Sequence, residues 1–317
     1  MSATLELTVS SLRAVARDVI AVELRGSSGQ VLPTAKAGSH VELSLPNGLK
    51  RHYSLVNATG QSNMTSYIIA VGWDSQSRGG SVWIHERLKV GQKLSVGLPR
   101  NLFEMDDAHR HVLLVAGGIG ITPIYAMAQA CQLEGRSYEL WVAARSASRM
   151  AYLDELKALV GEKLHTHFDD EQGGPLHLQV LLENQNWDAV YACGPTPMLD
   201  KLTAVTAHWT PNSVCIERFK GPEITHEQNG SFELCLQRSG LETTVDFKES
   251  VLEAMERIGV EYPWSCREGV CGTCEAVVIE GTVNHKDLVL LPQERAEQKR
   301  MMVCVSRCTG KRLVLDI

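Results

Sequence analysis

Over the first hundred residues the chain alternates. Runs such as 39–46 (SHVELSLP) and 65–73 (TSYIIAVGW) carry apolar side chains at about every second position, and Pro-Asn-Gly, Asn-Ala-Thr-Gly and Ser-Arg-Gly-Gly breaks lie between such runs. A period of two with turn residues between predicts short antiparallel strands in a barrel or sandwich. A short amphipathic helix fits 81–88, followed by another strand at 90–96. Near residue 110 the texture changes. The segment 111–116 (HVLLVA) is continuously apolar and runs into Gly117-Gly118-Ile119-Gly120-Ile121. Thr122 suits a helix N-cap there, and Pro123 the first helical turn. Strand 138–145, helix 150–160, strand 189–193, helix 197–207 and strand 213–219 follow. Strands alternating with helices predict a parallel, doubly wound sheet. The polar stretch 220–230 (KGPEITHEQNG) reads as a linker. Beyond it, 232–247 has the pattern of a hairpin, 250–258 that of a helix, and a cysteine-rich loop precedes further strands. The expected division is three domains: 1–107, 108–222 and 230–317.

Charge removes several function classes. Asp and Glu number 37 against 31 Lys and Arg, a formal net charge of −6 with no basic run, which argues against a nucleic-acid or anionic-membrane surface. The N-terminus lacks a signal-peptide core, and no stretch approaches the roughly 18 apolar residues of a membrane span. The expectation is a cytoplasmic protein. Nine cysteines, an odd number in a long chain, argue against a disulfide framework and for reduced thiols doing metal or redox work.

The strongest chemical signal is Cys266, Cys271 and Cys274 with Cys304 downstream, a C-x4-C-x2-C-x29-C spacing. It matches the plant-type [2Fe–2S] pattern, in which one loop supplies three thiolates and a distant segment the fourth. Gly269 and Gly272 let the backbone wrap close to such a cluster. A structural zinc site is the alternative, although zinc usually takes two short knuckles. Cys308 fits the spacing almost as well as Cys304. The alternation of Met302-Val303-Cys304-Val305-Ser306 favours Cys304 as an inward ligand on a strand. Cys131, Cys215, Cys235 and Cys308 then read as small core residues.

Two glycine-containing loops follow strands of the doubly wound sheet. Gly117, Gly118, Gly120, Thr122 and Pro123 form one strand-to-helix turn, where backbone amides can hold a pyrophosphate. Cys193, Gly194, Pro195 and Met198 end a later strand, and in such folds the ligand lies across the C-terminal strand ends. Cys193 reads either as a nicotinamide contact or as a strand-end core thiol. Arg145 and Ser146 end the intervening strand, where they can reach the adenosine ribose. In the β-rich segment, Arg51-His52-Tyr53-Ser54 places a cation, an aromatic ring and a hydroxyl on one strand end. Arg78-Gly79-Gly80-Ser81 opens the short helix and reads either as a further anion site or as a glycine turn with a solvated arginine.

The order of these motifs, with the cysteine cluster at the C-terminal end, resembles the phthalate dioxygenase reductase family, the single-chain reductases of two-component Rieske oxygenases. The resemblance covers nearly the whole chain. It implies an antiparallel six-stranded β-barrel binding FMN, a Rossmann-like doubly wound domain binding NADH, and a β-grasp ferredoxin domain holding the [2Fe–2S] cluster. It implies that Arg51, Tyr53 and Ser54 contact the flavin, with Ser54 near its reactive edge, and that Arg78, Gly79, Gly80 and Ser81 hold its phosphate. His52 is a departure at a variable position of that motif, and it and Val71 are further expected cofactor contacts. Phe219 would stack where the nicotinamide must dock, so that Ser54, Cys193 and Phe219 surround the hydride step. The implied partner is a terminal Rieske oxygenase, docking near 266–274, and the reductase is expected to be monomeric in isolation. Arg267 and Glu268 in that loop read either as charges that set partner choice or as solvated loop charges. Aromatic-compound catabolism is the expected setting. NADH is favoured over NADPH, although Arg145 and Arg149 stand where an arginine accommodates a 2′-phosphate. Two other readings remain: a non-redox zinc-stabilised binding module on a degenerate nucleotide fold, and a reductase serving another electron acceptor.

Overall fold

A computed structural model describes residues 3–74, 77–210, 212–221 and 230–317. The chain forms two compact units, Met1–Glu217 and Arg218–Ile317. Of the expected linker, residues 222–229 lie outside the described residues.

The first unit opens with β1 (Thr4–Ala16) and β2 (Val19–Arg25), paired antiparallel. Asp18 turns between them at φ 64°, the left-handed region that Asp tolerates better than most side chains. β3 (Ser39–Ser44), β4 (Lys50–Ser54) and β5 (Ser66–Gly72) follow, then α1 (Gly80–Arg87), β6 (Lys93–Gly97) and the two-residue β7 (Arg100–Asn101). The main sheet order is β4-β3-β6-β1-β2-β5, with β7 paired to β3. An antiparallel bridge from Leu55 to Ile69 joins the two outer strands and closes six strands into a barrel. Alternation buries Leu7, Val41, Leu43, Ile69, Leu94 and Val96 inside it.

Within the same unit a parallel sheet ordered β10-β9-β8-β11-β12 is built from β8 (His111–Gly117), α2 (Ile121–Glu134), β9 (Ser137–Ala144), α3 (Leu153–Val160), β10 (Leu164–Phe168), α4 (Asp169–Gln172), α5 (Leu178–Leu181), β11 (Ala189–Cys193), α6 (Thr196–Val205) and β12 (Val214–Glu217). Apolar layers cover both faces, which is why β8 reads as an unbroken apolar run. Three expectations change. The helix expected from 150 begins at Leu153, because Tyr152 takes φ 61° and a single turn of 3-10 helix, Ala147–Arg149, stands before it. β10 (LHTHF) is a strand that its own pattern does not announce; as an edge strand it needs no strong apolar pattern. Thr122 is not an N-cap. A 3-10 turn at Gly118–Gly120 runs straight into α2, so Gly120 is the cap and the Thr122 hydroxyl donates back to the Ile119 carbonyl at 3.0 Å.

The second unit pairs β13 (Phe232–Leu236) with β14 (Leu241–Val245), then adds α7 (Val251–Arg257), β15 (Glu275–Glu280), β16 (Val283–Asn284), α8 (Pro292–Glu297), β17 (Arg300–Met302), β18 (Arg307–Cys308) and β19 (Arg312–Leu315). The mixed sheet β14-β13-β19-β15-β17 packs one face on α7, whose start is fixed by a capping box between Ser250 and Glu253. This is a β-grasp arrangement.

Candidate functional site

In the first unit, strand pairing brings together groups that are far apart in sequence. β12 runs parallel to β11, with Glu217 opposite Cys193. The Ser54 hydroxyl, at the end of β4, donates to Glu217 Oε2 at 3.4 Å. Ser54 is 5% exposed and Cys193 fully buried. Burial raises the Glu217 carboxyl to about 8, against the modest opposing pull of the Ser54 hydroxyl. It is therefore largely protonated at neutral pH. Burial lifts the Cys193 thiol well above its usual range, and Glu217 adds to this once it ionises, which makes the thiol a poor nucleophile and a neutral wall. Glu217 carries no motif of its own. Its position is visible only once β12 is placed beside β11.

The two glycine loops touch backbone to backbone. A Cβ on Gly120 would stand 2.2 Å from the Cys193 carbonyl oxygen, and one on Gly194 would stand 3.1 Å from Gly117 Cα. Only glycine permits this approach, and it leaves the loop amides beside the N-terminal turn of α2. Thr122 and Pro123 are buried in that turn, and Met198 and Pro195 pack against Gly117.

On the barrel, Arg51 Nη2 donates to the Arg78 carbonyl at 2.8 Å and the Arg51 side chain lies across Gly80. Gly79, at φ 83°, caps α1, and the Ser81 hydroxyl reaches the Asp74 carbonyl at 3.5 Å. The Arg51 guanidinium, the Arg78 backbone and the first turn of α1 thus meet at one corner, where a cation and helix N–H groups suit a phosphate. Tyr53 sits between Arg51 and Ser54, its hydroxyl pushed up by burial.

Other expected contacts lie apart from these. The Val71 side chain is in the barrel core, and its carbonyl is bound by His85 Nε2 at 2.8 Å. His52 points to the opposite face of β4 from Arg51 and Tyr53, edge-on to His40, with Nε2 3.8 Å from Glu42. Arg145 is exposed beyond β9, while Ser146 bonds Ser148. Arg149 pairs with Asp18 at 2.8 Å and is thereby occupied. Phe219, two residues past β12, is exposed.

In the second unit Cys266, Cys271, Cys274 and Cys304 are all buried, each at most 8% exposed. Their sulfurs form a contacting set in which Cys274 and Cys304 lie 3.1 Å apart, and Cys266 bonds to Cys271 and Cys304. These sulfur contacts pull Cys266 and Cys274 toward thiolate and raise Cys271 and Cys304. The Glu268 N–H donates to Cys266 Sγ at 3.3 Å. Gly269, at φ 70°, lets the loop close against Asp287 and Val305. Four buried soft donors with backbone N–H groups aimed at sulfur fit an iron–sulfur cluster. Cys304 is not on a strand, as its alternation had implied. β17 ends at Met302, and Cys304 sits in the turn that follows. Cys308 belongs elsewhere, its thiol bonded to the Arg312 carbonyl at 3.2 Å. Of the presumed core thiols Cys131 is buried, but Cys215, Cys235 and Cys308 are only half-buried.

Comparison with known proteins agrees with this chemistry. Residues 236–309 match the 2Fe-2S iron-sulfur cluster binding domain family, and residues 114–203 the oxidoreductase NAD-binding domain family. The chain is 67% identical, over the full length of both, to a reductase subunit of the toluene-4-sulfonate monooxygenase system of Comamonas testosteroni. It is 35% identical to phthalate dioxygenase reductase of Burkholderia cepacia, over 99% of this chain and 97% of that one. A solved phthalate dioxygenase reductase, described as a modular structure for electron transfer from pyridine nucleotides to [2Fe-2S], superposes with a TM-score of 0.74 at 35% identity, covering 99% of this chain and 98% of that one.

Proposed function

This chain belongs to the phthalate dioxygenase reductase family, and from that premise we propose how its residues divide the work. The chain is an NADH-dependent electron-transfer oxidoreductase, the reductase component of an oxygenase system, using FMN and a [2Fe–2S] cluster. Bound FMN supplies the exchange between a two-electron hydride donor and a one-electron iron–sulfur acceptor.

In the proposed division, Arg51 and the Arg78–Ser81 corner hold the flavin phosphate. The Ser54 hydroxyl and the Glu217 carboxyl stand at the reactive edge. Glu217, kept neutral by burial, holds a proton on its carboxyl and keeps a fixed negative charge away from a site where negative charge arrives with hydride. Cys193 excludes water on the same side without offering a reactive thiolate. The Gly117–Gly120 and Cys193–Pro195 loops hold the pyrophosphate of NADH. Cys266, Cys271, Cys274 and Cys304 hold the cluster. The acceptor is a terminal Rieske oxygenase acting on aromatic compounds. The chain works as a monomer, and in the cytoplasm, in keeping with nine cysteines none of which is in a disulfide. The finer domain limits 1–107, 108–222 and 230–317 assign one cofactor to each domain.

The observation that carries the reading is the buried four-thiol set in a chain that also presents two glycine loops at the ends of a parallel sheet. Purified protein tests it directly. Flavin and acid-labile sulfide, with visible absorbance bleached by NADH and restored by a Rieske oxygenase, are expected. A colourless protein carrying zinc would overturn it.

A further inference from the structure

Arg267 follows the first cluster ligand and, by charge alone, looks like a contact for the electron acceptor. Its side chain is otherwise engaged. The guanidinium lies over the Trp264 ring, 3.8 Å from the centroid, and pairs with the Glu256 carboxylate on α7. Its backbone is left-handed, φ 55°, a conformation that long side chains seldom adopt unless their surroundings enforce it. That turn directs the next amide, Glu268 N–H, onto Cys266 Sγ at 3.3 Å. The peptide after it is pressed from another side: Gly221 lies so close that a Cβ there would be 1.9 Å from the Glu268 carbonyl oxygen. Arg267 also borders a recess lined by Cys304 and Val305.

We propose that Arg267 is a positioning residue for the iron–sulfur centre: clamped between Trp264 and Glu256, it holds the backbone turn that aims the Glu268 N–H at Cys266, and thereby sets the cluster's reduction potential. The proposal rests on the four cysteines holding the cluster, and iron and sulfide content reports on that separately. A hydrogen bond to a thiolate sulfur stabilises the more negative, reduced cluster, so loosening it lowers the potential.

The test is spectroelectrochemical titration of the holoenzyme with Arg267→Gln, Arg267→Lys and Glu256→Gln, beside iron and sulfide determination and the electron paramagnetic resonance spectrum of the reduced cluster. Arg267→Gln is expected to disfavour one-electron reduction about tenfold, or about 59 mV, with altered g-values. Arg267→Lys keeps the ion pair but loses the flat stacking, and is expected to fall between Gln and wild type. Glu256→Gln leaves the loop sequence intact and is expected to shift the potential in the same direction, which keeps the proposal testable if an Arg267 variant fails to assemble its cluster. Unchanged potentials in assembled variants, with the KM for the oxygenase raised and its salt dependence reduced, would overturn the proposal and return Arg267 to the docking surface.

Discussion

Replacing Glu217 by glutamine removes a titration that the fold has displaced. In the unfolded chain this carboxyl loses its proton near 4.5, while in the folded protein burial holds it until about 8. Below pH 4.5 both states are protonated and the group's contribution to stability is complete. Between the two values the unfolded chain has released a proton that the folded protein still binds, so stability falls as pH rises, and above about pH 8 the contribution is gone. The full displacement corresponds to roughly 5 kcal/mol. Glu217 is only half-buried, and its hydrogen bond to Ser54 is long at 3.4 Å, so water screening reduces the expected effect to about 1–3 kcal/mol. Urea unfolding monitored by tryptophan fluorescence suits the measurement, because Trp73, Trp83, Trp141, Trp187 and Trp209 lie in the first unit and only Trp264 in the second. With excess FMN present, the stability of wild type minus that of Glu217→Gln should fall by about 1–3 kcal/mol from about pH 5 to about pH 8.5. Titrations elsewhere in the molecule cancel in the difference. A pH-independent difference would refute the assignment of a carboxyl held neutral in the folded protein.

Gly120→Ala puts a methyl group 2.2 Å from the Cys193 carbonyl oxygen. It should raise the KM for NADH roughly ten- to hundredfold while the flavin and cluster spectra persist; an unchanged KM would remove the loop contact from the coenzyme site. Cys304→Ser should abolish the cluster's visible absorbance and Cys308→Ser preserve it, since the Cys308 thiol is bonded to Arg312 away from the sulfur set. The reverse result would exchange the two assignments. Arg136, almost fully buried, donates to the Asp106 and His109 carbonyls at 2.7 and 2.8 Å. Arg136→Ala should destabilise the first unit by about 3 kcal/mol in urea melts, because both carbonyls lose a charged donor. A loss below about 1 kcal/mol would show that water replaces it.

The parts that could be read in advance are those governed by near neighbours along the chain. Period-two patterning with glycine breaks marks barrel strands, an unbroken apolar run marks a strand covered on both faces, and cysteine spacing marks a cluster loop, because each depends on a few consecutive residues. The misses share one cause. β10 is an edge strand whose partner, not its own pattern, makes it a strand. The late start of α3 depends on Tyr152 being held at φ 61° among packed neighbours. Cys304 was favoured over Cys308 on strand alternation, yet it sits in a turn, and it is the return of the chain after β17 that brings its sulfur to Cys274.

By itself, the order of residues determined the strands and helices with strong periodicity, the glycine loops, the spacing of the four thiols and the family they imply. Only the tertiary structure decided that Glu217 meets a serine 163 positions earlier, that Arg149 is taken by Asp18, and that Arg267 is held by Trp264 and Glu256. The physical reason is that charge state and hydrogen-bond geometry depend on burial and on which strands lie side by side, and residues distant along the chain supply both.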